Sequence, residues 1–584
     1  MKKYLILLLL LIPSFAFAAC PGTPSDCYTS CGEKCLTVID ATQPAVQATV
    51  NAVTSEDEWW TVVVPEHAGI EWTSGITVAN KKIKLAGGGN DTSKRTVITS
   101  AVGSGTVMAF NITTYPIELS AFTFNGTAGL IASLNKYQSG NTTKTNGFRI
   151  HHCDFNISAR ISIVGYLYGL VDTCAFNGFY TQVLVSETYP GETGDTIYNW
   201  AGKTSWARGV DFNAIGADAV YIENCTYTHG TTAISYFSDS RQGSRIVERY
   251  NDVTNATHSM HGIAQAGGMS RGSFLNIYYN NATTFTVAWE HNLIKMLGGT
   301  GLGYNNTAVL SGVASATPKI SLYYYRDNPG GLVDGSSVWK SECTANTEYV
   351  DGYIDGPTSG YPCGDGLGLK GDVDADGQDH APYYFWSNLC SGAKCSAVLD
   401  TPSQEHATVN VDYYNEPATF DGTVGVGSGL KSAIEAEGAF YENCTAGVGY
   451  WATDEKKLYV CSVGGDAWTL YYTEYTCPHP LASLSGYTCT TTAGRGGYIS
   501  GAPPIYEATS SVVNAVGGTV TGSQSVESGS TAEFTYETFN GWKFKAWAGT
   551  CGGSGTATYT TNAITADCTV TAEFEEIKLN TFCR

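Results

Sequence analysis

Five side chains between positions 239 and 271 have the types that acid–base or anion-binding chemistry requires: Asp239, Arg241, Arg245, His261 and Arg271. Arg245 and Arg271 are 26 residues apart. The chain has 32 Lys and Arg against 53 Asp and Glu, so several guanidinium groups and an imidazole on one face would stand out. They could hold a substrate carboxylate through paired N–H donors. An Arg or His whose pKa is shifted by its surroundings could also move a proton. The same residues fit a purely structural ladder in which the arginines pair with Asp239 and Glu248.

A second constellation, Asp372-Val373-Asp374-Ala375-Asp376-Gly377-Gln378-Asp379, alternates oxygen-bearing side chains and places Gly at its sixth position. Asp372, Asp374, Asp376, Gln378 and Asp379 could wrap a calcium ion, with Gly377 permitting the sharp turn. The stretch resembles the first half of an EF-hand loop, but its twelfth position is Tyr383 rather than an acid. A solvated acidic turn is the alternative, and a bound ion would fix a loop without taking part in chemistry. Trp59, Trp60 and Trp72 could stack on sugar rings or pack near one end of the fold.

The elements that must position these groups show themselves as a repeat. A phrase containing Asn returns at Asn224, Asn251, Asn280 and Asn305, and Tyr250, Tyr279 and Tyr304 precede the last three copies. A return every 20 to 30 residues marks a solenoid, whose coils bury apolar surface only by stacking. Asn suits the bends because it tolerates left-handed backbone, and stacked Asn side chains can form a hydrogen-bonded ladder. Short apolar runs cut by Gly, Asn and Pro, such as Trp60–Pro65, Gly75–Ala79, Lys82–Gly89 and Thr96–Thr99, read as strands. Val46, Val50 and Val53 mark a short amphipathic helix able to cover the open end of the stack. Cys153 and Cys174, 21 residues apart, should take one position in neighbouring coils, either as two small core residues or as a disulfide. Residues 186–208 lack strand rhythm and read as a projecting loop.

The expected fold class is therefore all-β: a solenoid of residues 41–485 capped by an N-terminal helix, a linker at 486–510, a small β-domain at 511–577 and a tail at 578–584. Lys2 and Lys3, the apolar run Leu5–Ile12 and Ala16-Phe17-Ala18 make residues 1–18 a secretory signal. The Cys-rich segment 19–40 follows. Cys20 raises a lipid anchor, although Phe17 stands where a lipoprotein signal usually has Leu. Eighteen cysteines in an exported chain favour disulfides. Disulfides are favoured over zinc for Cys20, Cys27, Cys31 and Cys35 as well. A net charge of −21 repels nucleic acid, and repels polyanionic glycans unless a cation bridges them. No later stretch is apolar enough for a membrane helix.

The opening helix, followed by Ile83-Lys84-Leu85-Ala86-Gly87 and the repeated coils, resembles the right-handed parallel β-helix proteins of the pectin-lyase-like superfamily, over about residues 40–485. Many relatives cleave acidic polysaccharides on the β-helix flank. The Asn-Thr-Asp and Asp-Asp motifs of polygalacturonases and the Trp-Ile-Asp-His run of pectate lyases are absent here. Tyr361–Asn388 and Tyr450–Leu481 resemble the closing coils and hairpin cap of a bacterial subgroup. Gly541–Cys551 with Asp567–Ala572 resembles internalin B-repeat surface modules, whose usual role is as a spacer or adhesive unit. In that module Cys551 pairs with Cys568, and Trp542, Phe544 and Trp547 form the core. The missing motifs and the surface-type module lead to the expectation of a secreted, extracellular or cell-surface protein that binds a polysaccharide or matrix component without cleaving it. The alternative is a polysaccharide lyase or glycoside hydrolase.

Overall fold

Strands of two to seven residues stack into coils because each carries apolar side chains on one face and polar ones on the other. A computed structural model describes residues 34–54, 58–89, 95–135, 145–156, 160–178, 183–186, 218–230, 235–241, 244–260, 275–287, 291–296, 299–312, 317–322, 381–399, 408–435, 438–441, 444–482, 489, 505–513, 518–520, 524–527, 531–539, 542–564 and 568–576. The signal segment, Cys20, Cys27, Cys31, the loop after Ser186, His261, Arg271 and the 372–379 stretch lie outside these residues. The chain divides into two compact units: residues 1–427 with 442–449 and 458–497, and residues 428–441 with 450–457 and 498–584.

The first unit is a parallel β-helix. Each coil contributes one strand to each of three sheets, which hold twelve, eleven and ten strands among the described residues. In chain order these are sheet 1, sheet 2 and sheet 3. For example, Trp60–Val63 lies in sheet 1, His67–Trp72 in sheet 2 and Ile76–Ala79 in sheet 3, after which Ile83–Ala86 returns to sheet 1 beside Trp60–Val63. The core runs along the axis and is lined by Leu85, Leu119, Ile150, Val171 and Ile222 from sheet 1, with Phe124, Phe155 and Phe176 stacked from sheet 2.

The helix Gln43–Ala52 closes the N-terminal end, burying Val46 and Val50 and carrying Pro in its first turn, where a missing N–H costs nothing. Gln47 exchanges two bonds with the Thr77 backbone. The Trp72 indole is fully buried and donates to the Ala41 carbonyl at 3.0 Å, so this Trp is packing.

Eight corners from sheet 1 to sheet 2 share one conformation. Ala121, His152, Thr173, Asn224, Tyr250, Asn280, Asn305 and Ser387 all adopt left-handed backbone, with φ between 52° and 64°. The next residue turns inward: Phe122, then Cys153, Cys174 and Cys225, then Asn251, Asn281, Asn306 and Asn388. The Asn side chains form a ladder. Asn251 Nδ2 donates to Asn281 Oδ1 at 2.9 Å, Asn281 to Asn306 at 3.0 Å, and Asn306 to Asn388 at 3.0 Å. The cysteines take the same place as free, buried thiols, with Cys174 Sγ directed at the Asp172 and Ile150 carbonyls.

The ladder therefore runs through Asn251, Asn281 and Asn306, whereas Asn224, Asn280 and Asn305 are corners. The repeat slips by one residue at Tyr250, which itself takes the corner. Tyr279 and Tyr304 keep one column, from which Tyr250 is displaced to the corner. Tyr279 stacks on Tyr304 at 4.7 Å and Tyr304 on Trp386 at 4.4 Å, while the register partner of Tyr279 in the preceding coil is Arg249.

Residues 471–482 run back across the outer face of sheet 1 as a strap. Tyr471 packs on Tyr384, the Tyr472 hydroxyl meets that of Tyr304 at 3.0 Å, and His479 lies against Tyr221. Arg249, fully buried, joins strap to sheet. It donates to Glu223 Oε2 and the Tyr279 hydroxyl, both at 2.6 Å, and to the Tyr475 and Thr476 carbonyls at 2.8 and 2.9 Å. Disulfides Cys390–Cys395, Cys444–Cys461 and Cys477–Cys489 tie the C-terminal part of this unit.

The second unit includes two four-stranded sheets between Ile505 and Glu576. Its strand Ile505–Val513 begins inside the expected linker. Ala508, Phe534, Tyr559, Ile564 and Val570 form its core. Phe544 and Trp547 are half-buried in an aromatic cluster with Tyr536, and Trp542 is likewise only half-buried. Cys551 and Cys568 are bonded at 2.09 Å.

Candidate functional site

Two of the five side chains singled out at 239–271 can be placed. Asp239 lies on sheet 3 between Leu184 and Ser259, one residue out of phase with the inward Ser238 and Ser240, and is 1% exposed. Arg245 begins a sheet 1 strand and is buried. Its register partner is Leu275, 30 residues on, so the row position opposite Arg245 is not Arg271. Arg241 ends the sheet 3 strand Tyr236–Arg241. Asp239 and Arg245 thus belong to different sheets.

Nearby, the sequence hid a polar cluster inside the rod. Glu248 occupies the inward column of Val171, Ile222 and Tyr278. Its carboxylate accepts from Ser238 and meets His258 Nδ1 at 2.6 Å, and Thr283 lies 3.5 Å from His258 Nε2. Ser238, Glu248 and His258 have no exposed surface. No substrate reaches them, and their partners satisfy one another as buried polar groups must.

The outer face of sheet 1 carries a different cluster beyond the C-terminal end of the strap, toward the N-terminal coils. Lys84, Glu118 and Arg149 are register partners in successive coils, as are Ser120, His151 and Asp172 beside them. Neighbouring strands are about 4.8 Å apart, so this is a polar row along the rod axis. Ahead of it lies the half-buried Trp59, with Lys84 at 5.5 Å and Lys82 at 5.8 Å from its ring. Arg149 makes a bidentate pair with the buried Asp172, both bonds at 2.8 Å, and the Thr173 hydroxyl adds a third bond to that carboxylate.

Within this cluster His151 Nε2 meets Glu118 Oε1 at 3.1 Å, and the Nδ1 atoms of His151 and His152 are 2.7 Å apart. The Glu118 side chain is 26% exposed. Burial alone would raise its pKa, but the His151 bond and the charges of His151, Lys84 and Arg149 hold it below the usual carboxylate value. His152 sits at the corner, and its pKa is pushed down to about 4, chiefly by burial and then by the charges of His151, Arg149 and Arg95, against the opposing pull of Asp172. Arg95 in turn pairs with Asp154 on sheet 2 at 2.5 Å. The sequence cue was His151-His152 directly before Cys153, which reads as a corner only once the thiol column is in register.

Sheet 2 presents a milder surface. Asn125, Asn156 and Asn177 form an outward ladder, with Asn156 donating to Asn125 and Asn177 to Asn156. Thr226 and Thr228 continue the outer face and are exposed. Among the described residues, no group of three or more His, Cys, Asp or Glu has the arrangement of a metal site, and no helix is long and apolar enough to cross a membrane.

Comparison with known proteins gives a firm answer only for the C-terminal module. Residues 508–578 match the family described as the divergent InlB B-repeat domain. Among solved structures, an alginate lyase from Paenibacillus sp. str. FPU-7 aligns with 12% identity and a TM-score of 0.27, over 48% of this chain and 99% of that one. ORF18 of Geobacillus virus E2 aligns with 12% identity and a TM-score of 0.21, over 76% and 86%. No curated protein matches. The repeat module and the disulfides together point to an extracellular protein, built as a parallel β-helix with an InlB-type surface repeat.

Proposed function

We propose that the chain is a secreted or cell-surface protein that binds an extended polysaccharide along the strap-free end of sheet 1. The cluster of Trp59, Lys84, Glu118 and His151 carries this reading: an aromatic face stands ahead of hydrogen-bonding groups from three successive coils, with Lys84 and Glu118 partly open to solvent. Such a mixture of one ring and a few placed polar groups is what a sugar site uses. The chain charge of −21 favours neutral glycans over acidic ones. Calcium at Asp372, Asp374, Asp376, Gln378 and Asp379 belongs to the proposal as a loop-fixing ion. The repeat module would then act as a spacer or adhesive unit. The test is retention of the purified chain by a panel of immobilised neutral and acidic glycans, with and without calcium. A neutral glycan should retain it, and Trp59→Ala should weaken retention about tenfold or more, the effect of losing roughly 1.4 kcal/mol. Absence of retention by every glycan, or retention indifferent to Trp59→Ala, would overturn the reading.

A further inference from the structure

The geometry points to Glu118, His151 and His152 as a proton relay that hydrolyses O-acyl esters on the neutral polysaccharide, an activity that rests on the glycan-binding reading of the same face. The Glu118 carboxylate can only accept, so His151 Nε2 carries a hydrogen toward it across 3.1 Å. Between the two Nδ1 atoms, 2.7 Å apart, there is room for one proton only. If His152 holds it, His151 is a neutral imidazole and the outer Nε2 of His152 is a lone pair. If His151 holds it, His151 is an imidazolium and His152 Nε2 carries a hydrogen. These two states differ by one proton gained at the outer nitrogen, while the positive charge rests on the inner ring, beside a carboxylate. His152 Nε2 makes no hydrogen bond among the described residues, and the ring is half-buried.

The depressed basicity of His152 then ceases to be an obstacle, because His152 never has to hold the charge. The groups facing it are His151 and Arg149 from its own coil, Asp172 from the next and Arg95 from sheet 2. Both guanidinium groups are paired, Arg149 with Asp172 and Arg95 with Asp154. That pairing leaves neither guanidinium to a substrate carboxylate. Removing a carbon-bound proton beside a uronate needs a cation to neutralise the carboxylate, and hydrolysing a glycosidic bond needs an acid on the leaving oxygen. Water attack on an acyl ester needs only a base of imidazole strength.

Water gives a proton to His152 Nε2 as its oxygen bonds to the acyl carbon, and the proton on His152 Nδ1 passes to His151 Nδ1. When the tetrahedral adduct collapses, the bond between the acyl carbon and the sugar oxygen breaks. The relay runs backwards and the sugar oxygen leaves as a hydroxyl. One ester and one water become one carboxylic acid and one alcohol.

The test uses the full chain with O-acetylated glucomannan, following acetate release and, separately, retention on the immobilised polymer. His152→Asn keeps a residue that tolerates the corner backbone but cannot act as the base. It should reduce acetate release by about 10²-fold or more while retention persists. Glu118→Gln tests a positioning role. It should lower the plateau and move the acid limb of the pH–rate profile to lower pH, because the inner imidazolium loses its counter-charge. A purely structural role would leave that limb in place. Retention without acetate release, or release unaffected by His152→Asn, would overturn the relay and leave the binding reading standing. Loss of retention in the unmodified chain would overturn both.

Discussion

Replacing Arg249 by Met should release the strap, and the size of the effect follows from what Arg249 leaves behind. Glu223 and Arg249 have no exposed side-chain surface. Removing the cation strands a buried carboxylate, which costs about 3–5 kcal/mol. The Tyr475 and Thr476 carbonyls lose their donor at the same time. The molecule has a cheaper response than enduring this: residues 471–482 can lift off and let water reach Glu223. Hydrogen exchange in a peptide covering 471–482 should therefore speed up by about two to three decades, at 1.4 kcal/mol per decade. Adding Glu223→Gln removes the stranded charge and keeps an acceptor for the His479 N–H, now at 2.9 Å. The double variant should recover at least tenfold of the lost protection. Protection that changes less than tenfold in Arg249→Met, or single-variant losses that simply add in the double, would refute the assignment of Arg249 as the staple.

Four further outcomes are expected. Asn281→Ala, which removes a ladder rung with bonds to Glu248, Asn251 and Asn306, should cost about 2–4 kcal/mol, whereas Asn280→Gly at the corner should be near neutral; denaturant titration of the two variants compares them. Gly301→Ala should destabilise by more than about 2 kcal/mol in the same measurement, because a Cβ there would lie 1.8 Å from the Asn276 carbonyl oxygen. His479 is held neutral, its pKa lowered from 6.5 to about 3 by burial and by the charges of Arg249 and Arg149. Above pH 6.5 neither docked nor released strap binds the extra proton. Below it the released strap does, so docking should weaken on acidification toward pH 3 by at most about 1.4 kcal/mol per unit, less for partial exposure; protease cleavage within 471–482 should rise between pH 7 and 5 and stay flat in His479→Asn. Finally, Cys551→Ser with Cys568→Ser should lower the unfolding temperature of the repeat module, since closing a loop of this size contributes about 3 kcal/mol; an unchanged transition in calorimetry would contradict it.

The coil architecture was legible because a buried ladder restricts its residues to few types, so Asn recurs where a rung is needed. The phase was harder. Tyr250-Asn251 and Asn280-Asn281 look alike in sequence, yet the first places its Tyr at the corner and the second its Asn, since either tolerates the left-handed backbone when the next side chain is held inside. Glu248 and His258 sit at inward positions that alternation reserves for apolar residues, and only their mutual bonding makes the exception stable. The His151–His152–Glu118 row joins residues 33 apart, a separation set by the length of one intervening coil rather than by any motif. Arg249 was likewise silent, because its partners at 475 and 476 lie more than two hundred residues away.

The three thiols at positions 153, 174 and 225 set an order of events for maturation. Each is shielded once its coil has docked on the next, whereas in the unfolded chain all three would be as open to oxidation as the cysteines that join 390 to 395, 444 to 461, 477 to 489 and 551 to 568. A crosslink made too early between any thiol of this column and those later cysteines would bar the windings from closing. The central coils must therefore assemble ahead of the crosslinks near the C-terminus, so that winding protects the sulfurs from oxidation.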